Sequence, residues 1–105
     1  MTLQKMVSKL NAANLSPEEL QKMLEEVSKA VDPASNYGKV ADHLKNASRQ
    51  LQAGQKSDAA KSLADAAKEL EKLMQQMGDA QELAATLENL NQALEQIDGW
   101  TKRNL

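Results

Sequence analysis

The chain contains no cysteine and no phenylalanine, and only one tryptophan, one tyrosine and two prolines in 105 residues. Each scarcity excludes something. Without cysteine there is no disulfide scaffold, no thiolate metal site and no cysteine nucleophile. Such a chain fits a reducing compartment, and a cytoplasmic location is the default expectation. Isoleucine occurs once, and Val, Thr and aromatics are sparse, so the residues that favour strands are nearly missing. No apolar run approaches the ~18 residues of a membrane span, and the N-terminal stretch lacks the apolar block of a signal peptide. Neither a signal peptide nor a transmembrane segment is expected. Neither sign of charge dominates: 13 Lys and Arg stand against 15 Asp and Glu, a net charge of −2, which steers the molecule toward no particular partner.

Helix formers are what the chain has in abundance. Ala, Glu, Lys, Leu and Arg supply 53 of the 105 residues, the composition of coiled coils and long helices. The length suits a single domain over residues 1–105, with one modest core. Leu, Ala and Met would fill that core, packing helices closely while burying less area per residue than aromatics.

The stretch from Ser57 to Gly99 organises the rest. Leu83, Leu87, Leu90, Leu94 and Ile97 alternate in spacing between four and three, which makes one apolar seam on a helix. Ala60, Leu63, Ala67, Leu70, Met74 and Met77 repeat the alternation. Folding the two stretches antiparallel about Gly78-Asp79 sets Ala60 opposite Ile97, Leu63 opposite Leu94 and Ala67 opposite Leu90. Leu70 then meets Leu87, and Met74 meets Leu83.

Upstream, Ser16-Pro17-Glu18-Glu19 reads as a capping box with proline at the first helical position, and Leu15 can staple onto Leu20. Leu20, Leu24, Val27 and Val31 form a seam that stops near Asp32-Pro33. A further helix from about Tyr37 to Ala53 sets Val40, Leu44, Ala47 and Leu51 opposite it. Asp32 or Asn36 is its expected cap, and Gly54 closes it. Ser57 or Asp58 starts the next helix; Asp79 with Glu82 caps the last, which Gly99 ends. Residues 2–13, with Leu3, Met6, Val7 and Leu10 on one face beside Lys5 and Lys9, read as a short helix. Brief turns force antiparallel neighbours. The expected fold is all-α: an antiparallel up-down bundle of four main helices plus a short N-terminal helix, with coiled-coil-like packing.

Signs of catalysis or ligand chemistry are few. His43 is the only histidine, and no carboxylate sits three or four residues from it, the spacing that shares a helix face. It reads as a surface residue. No Glu-x-x-His, His-Glu-x-x-His or calcium-loop spacing occurs. Asp65, Glu69 and Lys72 read as a solvated stripe with internal ion pairing. Glycines 38, 54, 78 and 99 stand singly, so there is no phosphate-binding loop. Triads assemble from distant residues, but no strained nucleophile turn or oxyanion device is visible. The chain is expected not to be an enzyme, with no catalytic, metal or cofactor site. Lys39, Lys45 and Arg49 give too thin a basic face for nucleic acid.

The most asymmetric feature lies in the last helix. From Gly78 to Asp98 it carries Asp79, Glu82, Glu88, Glu95 and Asp98 without a single Lys or Arg. It reads as an acidic docking face for a basic partner, unless neighbouring helices supply lysines. Trp100 either packs back onto the last turn near Leu94 or stands exposed as an interface anchor. Leu15, Met23, Leu73, Met77 and Leu105 lie off or at the edge of the seams, and together on the surface they would form a self-association patch.

A small helical hairpin with a Trp beside a Gly invites comparison with the WXG family of secreted hairpins. That family places Trp-x-Gly in the turn between its helices. Here the turn is Met77-Gly78-Asp79 and the Trp follows Gly99, so nothing is carried over. In composition the hairpin resembles coiled-coil segments of large bacterial proteins, which names no family. The expected function is a protein–protein interaction or scaffold module that self-associates as a homodimer, with Glu82, Glu88, Glu95, Asp98 and Trp100 as its candidate partner surface. The alternative is a secreted or phage-type accessory protein (effector, structural subunit or chaperone-like adaptor) using the amphipathic N-terminal helix. No nucleic acid partner is expected, and a membrane partner is disfavoured.

Overall fold

The computed structural model describes residues 15–77 and 80–103, with side chains over 15–76 and 83–100. Its helices are α1 (Pro17–Ala30), α2 (Gly38–Gln52), α3 (Lys56–Met77) and α4 (Ala80–Arg103), and the described residues contain no strand. The expected helix over residues 2–13 and the Gly78-Asp79 turn, with its Asp79–Glu82 cap, lie outside the described residues.

The start of α1 follows from its first four letters. Ser16 Oγ accepts from the Glu19 N–H at 3.1 Å, and Glu19 Oε1 accepts from the Ser16 N–H at 3.2 Å. Two orphan donors are thereby satisfied, and Pro17 has no N–H to leave unsatisfied. Leu15 is buried rather than exposed off the seams. Its N–H donates to Gln96 Oε1 at 3.1 Å, which ties the beginning of α1 to the far part of α4.

Between α1 and α2 the chain turns on Asp32, whose Oδ1 accepts from the Ala34 N–H at 3.0 Å while its carbonyl accepts from Ser35 N at 3.0 Å and Ser35 Oγ at 2.7 Å. Asp32 is therefore occupied in the turn and does not cap α2. Nor does Asn36: Tyr37 holds the cap position and makes no side-chain cap hydrogen bond. At its other end α2 closes on Gly54, whose φ is +79°. The Gln55 N–H reaches the Gln50 carbonyl at 2.8 Å and the Gly54 N–H reaches the Leu51 carbonyl at 3.1 Å. That pair of bonds is a Schellman closure, which needs the left-handed residue glycine supplies. The next helix starts at Lys56, just ahead of the expected Ser57.

The Gln50 side chain clamps the α2–α3 turn. The backbone carbonyls of Asn46 and Asp58 both face one atom of its amide, so that atom must be the donating nitrogen. Its two hydrogens are shared among Asn46 O at 3.2 Å, Asp58 O at 3.0 Å and Ser62 Oγ at 2.6 Å.

Helix α1 packs on α2, α2 on α3 and α3 on α4, and all contribute to one buried cluster. Leu20, Leu24, Leu44, Leu63, Leu70, Leu83, Leu90 and Ile97 are fully buried, each burial stabilising by about 1.5–3 kcal/mol. The innermost line on the last two helices is rotated from the expected seams. On α3, Ala59 and Ala66 are fully buried while Ala60 is only partly so. On α4, Thr86 and Ala93 are buried while Leu87 and Leu94 are half-buried. Helix α3 packs on both α2 and α4, and a helix between two neighbours needs an apolar arc wider than a two-position seam. Ala59, Ala66, Thr86 and Ala93 share the buried arc with the fully buried Leu63, Leu70, Leu83 and Leu90, while Leu87 and Leu94 lie at its edge.

Gly99 does not end the last helix. Helix α4 continues through it to Arg103, and Trp100 packs against the core from within the helix. An added Cβ at Gly99 would meet nothing within 4 Å. Gly99→Ala is therefore expected to stabilise the protein by about 0.5–1 kcal/mol, the helix-interior difference between the two residues. A denaturant midpoint that falls instead of rising would contradict that geometry.

Candidate functional site

The outward face of α4 is the line Ala84, Glu88, Asn91, Glu95 and Asp98, all exposed and spaced four and three residues apart. Three of the five residues proposed from sequence as a partner surface fall on it. The side chain of Glu82 lies outside the described residues. Trp100 is separated from the stripe, because it is half-buried against the core cluster. Among the described residues neither Glu88 nor Glu95 has a cation within ion-pair distance; the ion pairs found there are Lys29–Glu25 at 3.1 Å and Lys72–Glu69 at 3.8 Å. For these two carboxylates the described neighbouring helices supply no lysine.

A second surface was not singled out from sequence: a groove of about 480 Å³ running between α1 and α2. Helix α1 contributes Gln21, Glu25, Ser28 and Lys29, and α2 contributes Lys45, Ser48, Arg49 and Gln52. Its polar floor is already built. Ser48, 3% exposed, donates from Oγ to the Gln21 carbonyl at 3.1 Å and accepts from Gln21 Nε2 at 3.0 Å. These bonds cross from α1 to α2 and fix the groove's width.

The charges along the groove are not equally available. Lys29 Nζ sits 3.1 Å from Glu25 Oε1. That hydrogen bond, and next the charge of Lys29, hold the Glu25 carboxyl below the usual carboxylate range. Lys45 and Arg49 are exposed, one turn apart, and have no carboxylate in ion-pair reach among the described residues. The sequence signals for this groove are two four-residue spacings, Glu25 to Lys29 on α1 and Lys45 to Arg49 on α2. The Ser48–Gln21 bond, between residues 27 positions apart, left no trace in any local pattern.

A further hollow of about 500 Å³ lies where the α1–α2 linker meets α3, between Pro33, Ser35 and Lys39 on one side and Glu69, Lys72 and Gln76 on the other. Its Lys72 is already paired with Glu69. Among the described residues, no group of three or more His, Cys, Asp or Glu side chains converges where a metal ion could sit, and His43 is half-exposed. None of the helices described is long and apolar enough to cross a membrane. No family model, curated protein or solved structure matches this chain.

Proposed function

We propose that the chain is a non-enzymatic protein–protein interaction or scaffold module, an antiparallel up-down bundle with coiled-coil-like packing that works by presenting an outer face. Packing of each helix on its chain neighbour through short connections supports the arrangement. The functional reading rests on the outer stripe of α4, where Glu88 and Glu95 stand exposed with no described cation to neutralise them. Carboxylates so placed cost the fold nothing to desolvate until a basic surface covers them, and they favour encounter with such a surface. Self-association as a homodimer is part of the proposal, supported by Met23, Leu73, Leu87 and Leu94, which lie half-buried at the margin of the core.

The reading is tested with Glu88→Gln/Glu95→Gln, which removes two charges and keeps the shape. A protein partner that co-purifies with the native chain should be bound roughly tenfold more weakly by the variant, mainly through slower association. Thermal stability should stay within about 0.5 kcal/mol of native. A partner retained equally by both forms, in salt low enough for charge to act, would remove the stripe from the function.

A further inference from the structure

We propose that the α1–α2 groove receives the acidic stripe of α4 from a second copy of this chain. The inference rests on the interaction-module reading and supplies its partner. The two surfaces are complementary in what each leaves unspent. In the groove, Lys29 is held by Glu25, while Lys45 and Arg49 carry positive charge with no described carboxylate in reach. On α4, Glu88 and Glu95 carry negative charge with no described cation in reach. Within one chain these groups do not find each other, so their pairing requires another molecule.

Shape agrees with charge. Ala84 and Asn91 alternate with the two glutamates along the stripe, so the ridge between the carboxylates is low. The groove presents the small Ser28 and Ser48, which leaves room for a helix to settle between α1 and α2. Glu88 and Glu95 lie seven residues apart, about 10 Å along a helix, while Lys45 and Arg49 lie one turn apart, about 6 Å. The long stems of Lys and Arg span that difference. A net charge of only −2 opposes the meeting of two copies weakly. Every copy carries both surfaces, so each is present at the concentration of the other.

The test is a reciprocal charge exchange read by sedimentation velocity. The native chain should self-associate, and do so at least tenfold more weakly when salt rises from about 0.1 to about 1 M and the Debye length falls from roughly 10 to 3 Å. Glu88→Lys/Glu95→Lys has a basic stripe facing a basic groove; Lys45→Glu/Arg49→Glu has an acidic stripe facing an acidic groove. Each alone should lose association by at least tenfold, and an equimolar mixture should regain it, since each stripe then meets a groove of opposite sign. Asp65→Lys/Glu71→Lys, with the same change in charge placed on exposed positions of α3, should associate like the native chain. Lys45→Gln/Arg49→Gln provides a milder groove variant if the reversed one melts early.

Association of either exchanged variant at native strength overturns the pairing while leaving the interaction-module reading in place. A native chain that stays monomeric at high concentration and low salt yet binds a glutamate-rich helical peptide overturns both the pairing and the homodimer, and leaves a module whose groove serves another protein. The role of the stripe in that reading fails by a different result, equal retention of a protein partner by the native and the Glu88→Gln/Glu95→Gln chains.

Discussion

Leu90→Ala is expected to cost about 2–5 kcal/mol, the range for truncating a fully buried leucine, whereas Leu87→Ala should cost less than about half of that. The two residues are three positions apart on α4, and the periodicity of the sequence treats them alike. Their surroundings differ. Leu90 is fully buried within the cluster, and Leu87 is half-buried at its edge. Removing Leu90 leaves a cavity that helices clamped by their own backbone bonds can only partly collapse. Removing Leu87 leaves a notch that water can enter. Against a stability of about 5–15 kcal/mol for a domain of this kind, the first loss should lower Tm by at least about 10 °C. Denaturant unfolding followed by helix dichroism reads both variants on one scale. Equal losses would mean that the buried line of α4 runs through Leu87 and Leu94, and not through Thr86 and Ala93.

That pair also marks where the sequence stops being legible. Helix existence and order could be read because spacing, caps and breakers are local: the Ser16–Glu19 box, Pro17 and Gly54 each act within a few residues of themselves. The phase of the buried face is a different kind of quantity. It depends on how many neighbours a helix touches, and an alternating pattern of Leu cannot show whether the leucines line the middle of the contact or flank it. Thr86 illustrates the point, since a polar letter beside Leu87 gives no reason to place it in the core. In the structure its β-branched side chain is 1% exposed and is not left without a partner.

The surface was legible to the same extent and for the same reason. Glu88, Glu95 and Asp98 share a face because helical spacing dictates it, and that much needed no coordinates. The groove between α1 and α2 is made by two helices, so neither one's sequence contains it. Glycine terminates a helix well only where the chain must adopt a left-handed residue, and the letter alone does not tell Gly99 from Gly54. At Gly54 the backbone does so; at Gly99 it remains helical, and the packing of Trp100 beyond it favours continuing the helix.

Gly38→Ala should destabilise the protein by about 1–3 kcal/mol, the cost of forcing extra volume into a filled site, although Gly38 begins a helix and alanine is the better helix former. The reason is space. A Cβ at Gly38 would overlap the carbonyl oxygen of Pro33 and lie 3.1 Å from its carbonyl carbon. A side chain in that position could rotate away, but a backbone carbonyl can withdraw only if the turn carrying it opens. The turn is held by three bonds to Asp32, one to its side chain from Ala34 and two to its carbonyl from Ser35, and the Gly38 N–H itself donates to the Ser35 carbonyl at 3.1 Å. The penalty should therefore depend on Asp32. Asp32→Ala loosens the turn and has a cost of its own, yet in that background Gly38→Ala should cost less, with a coupling of at least about 0.5 kcal/mol in the double-mutant cycle. Strict additivity would show that the Pro33 carbonyl yields without help from the turn, and that the glycine is required for some reason other than contact.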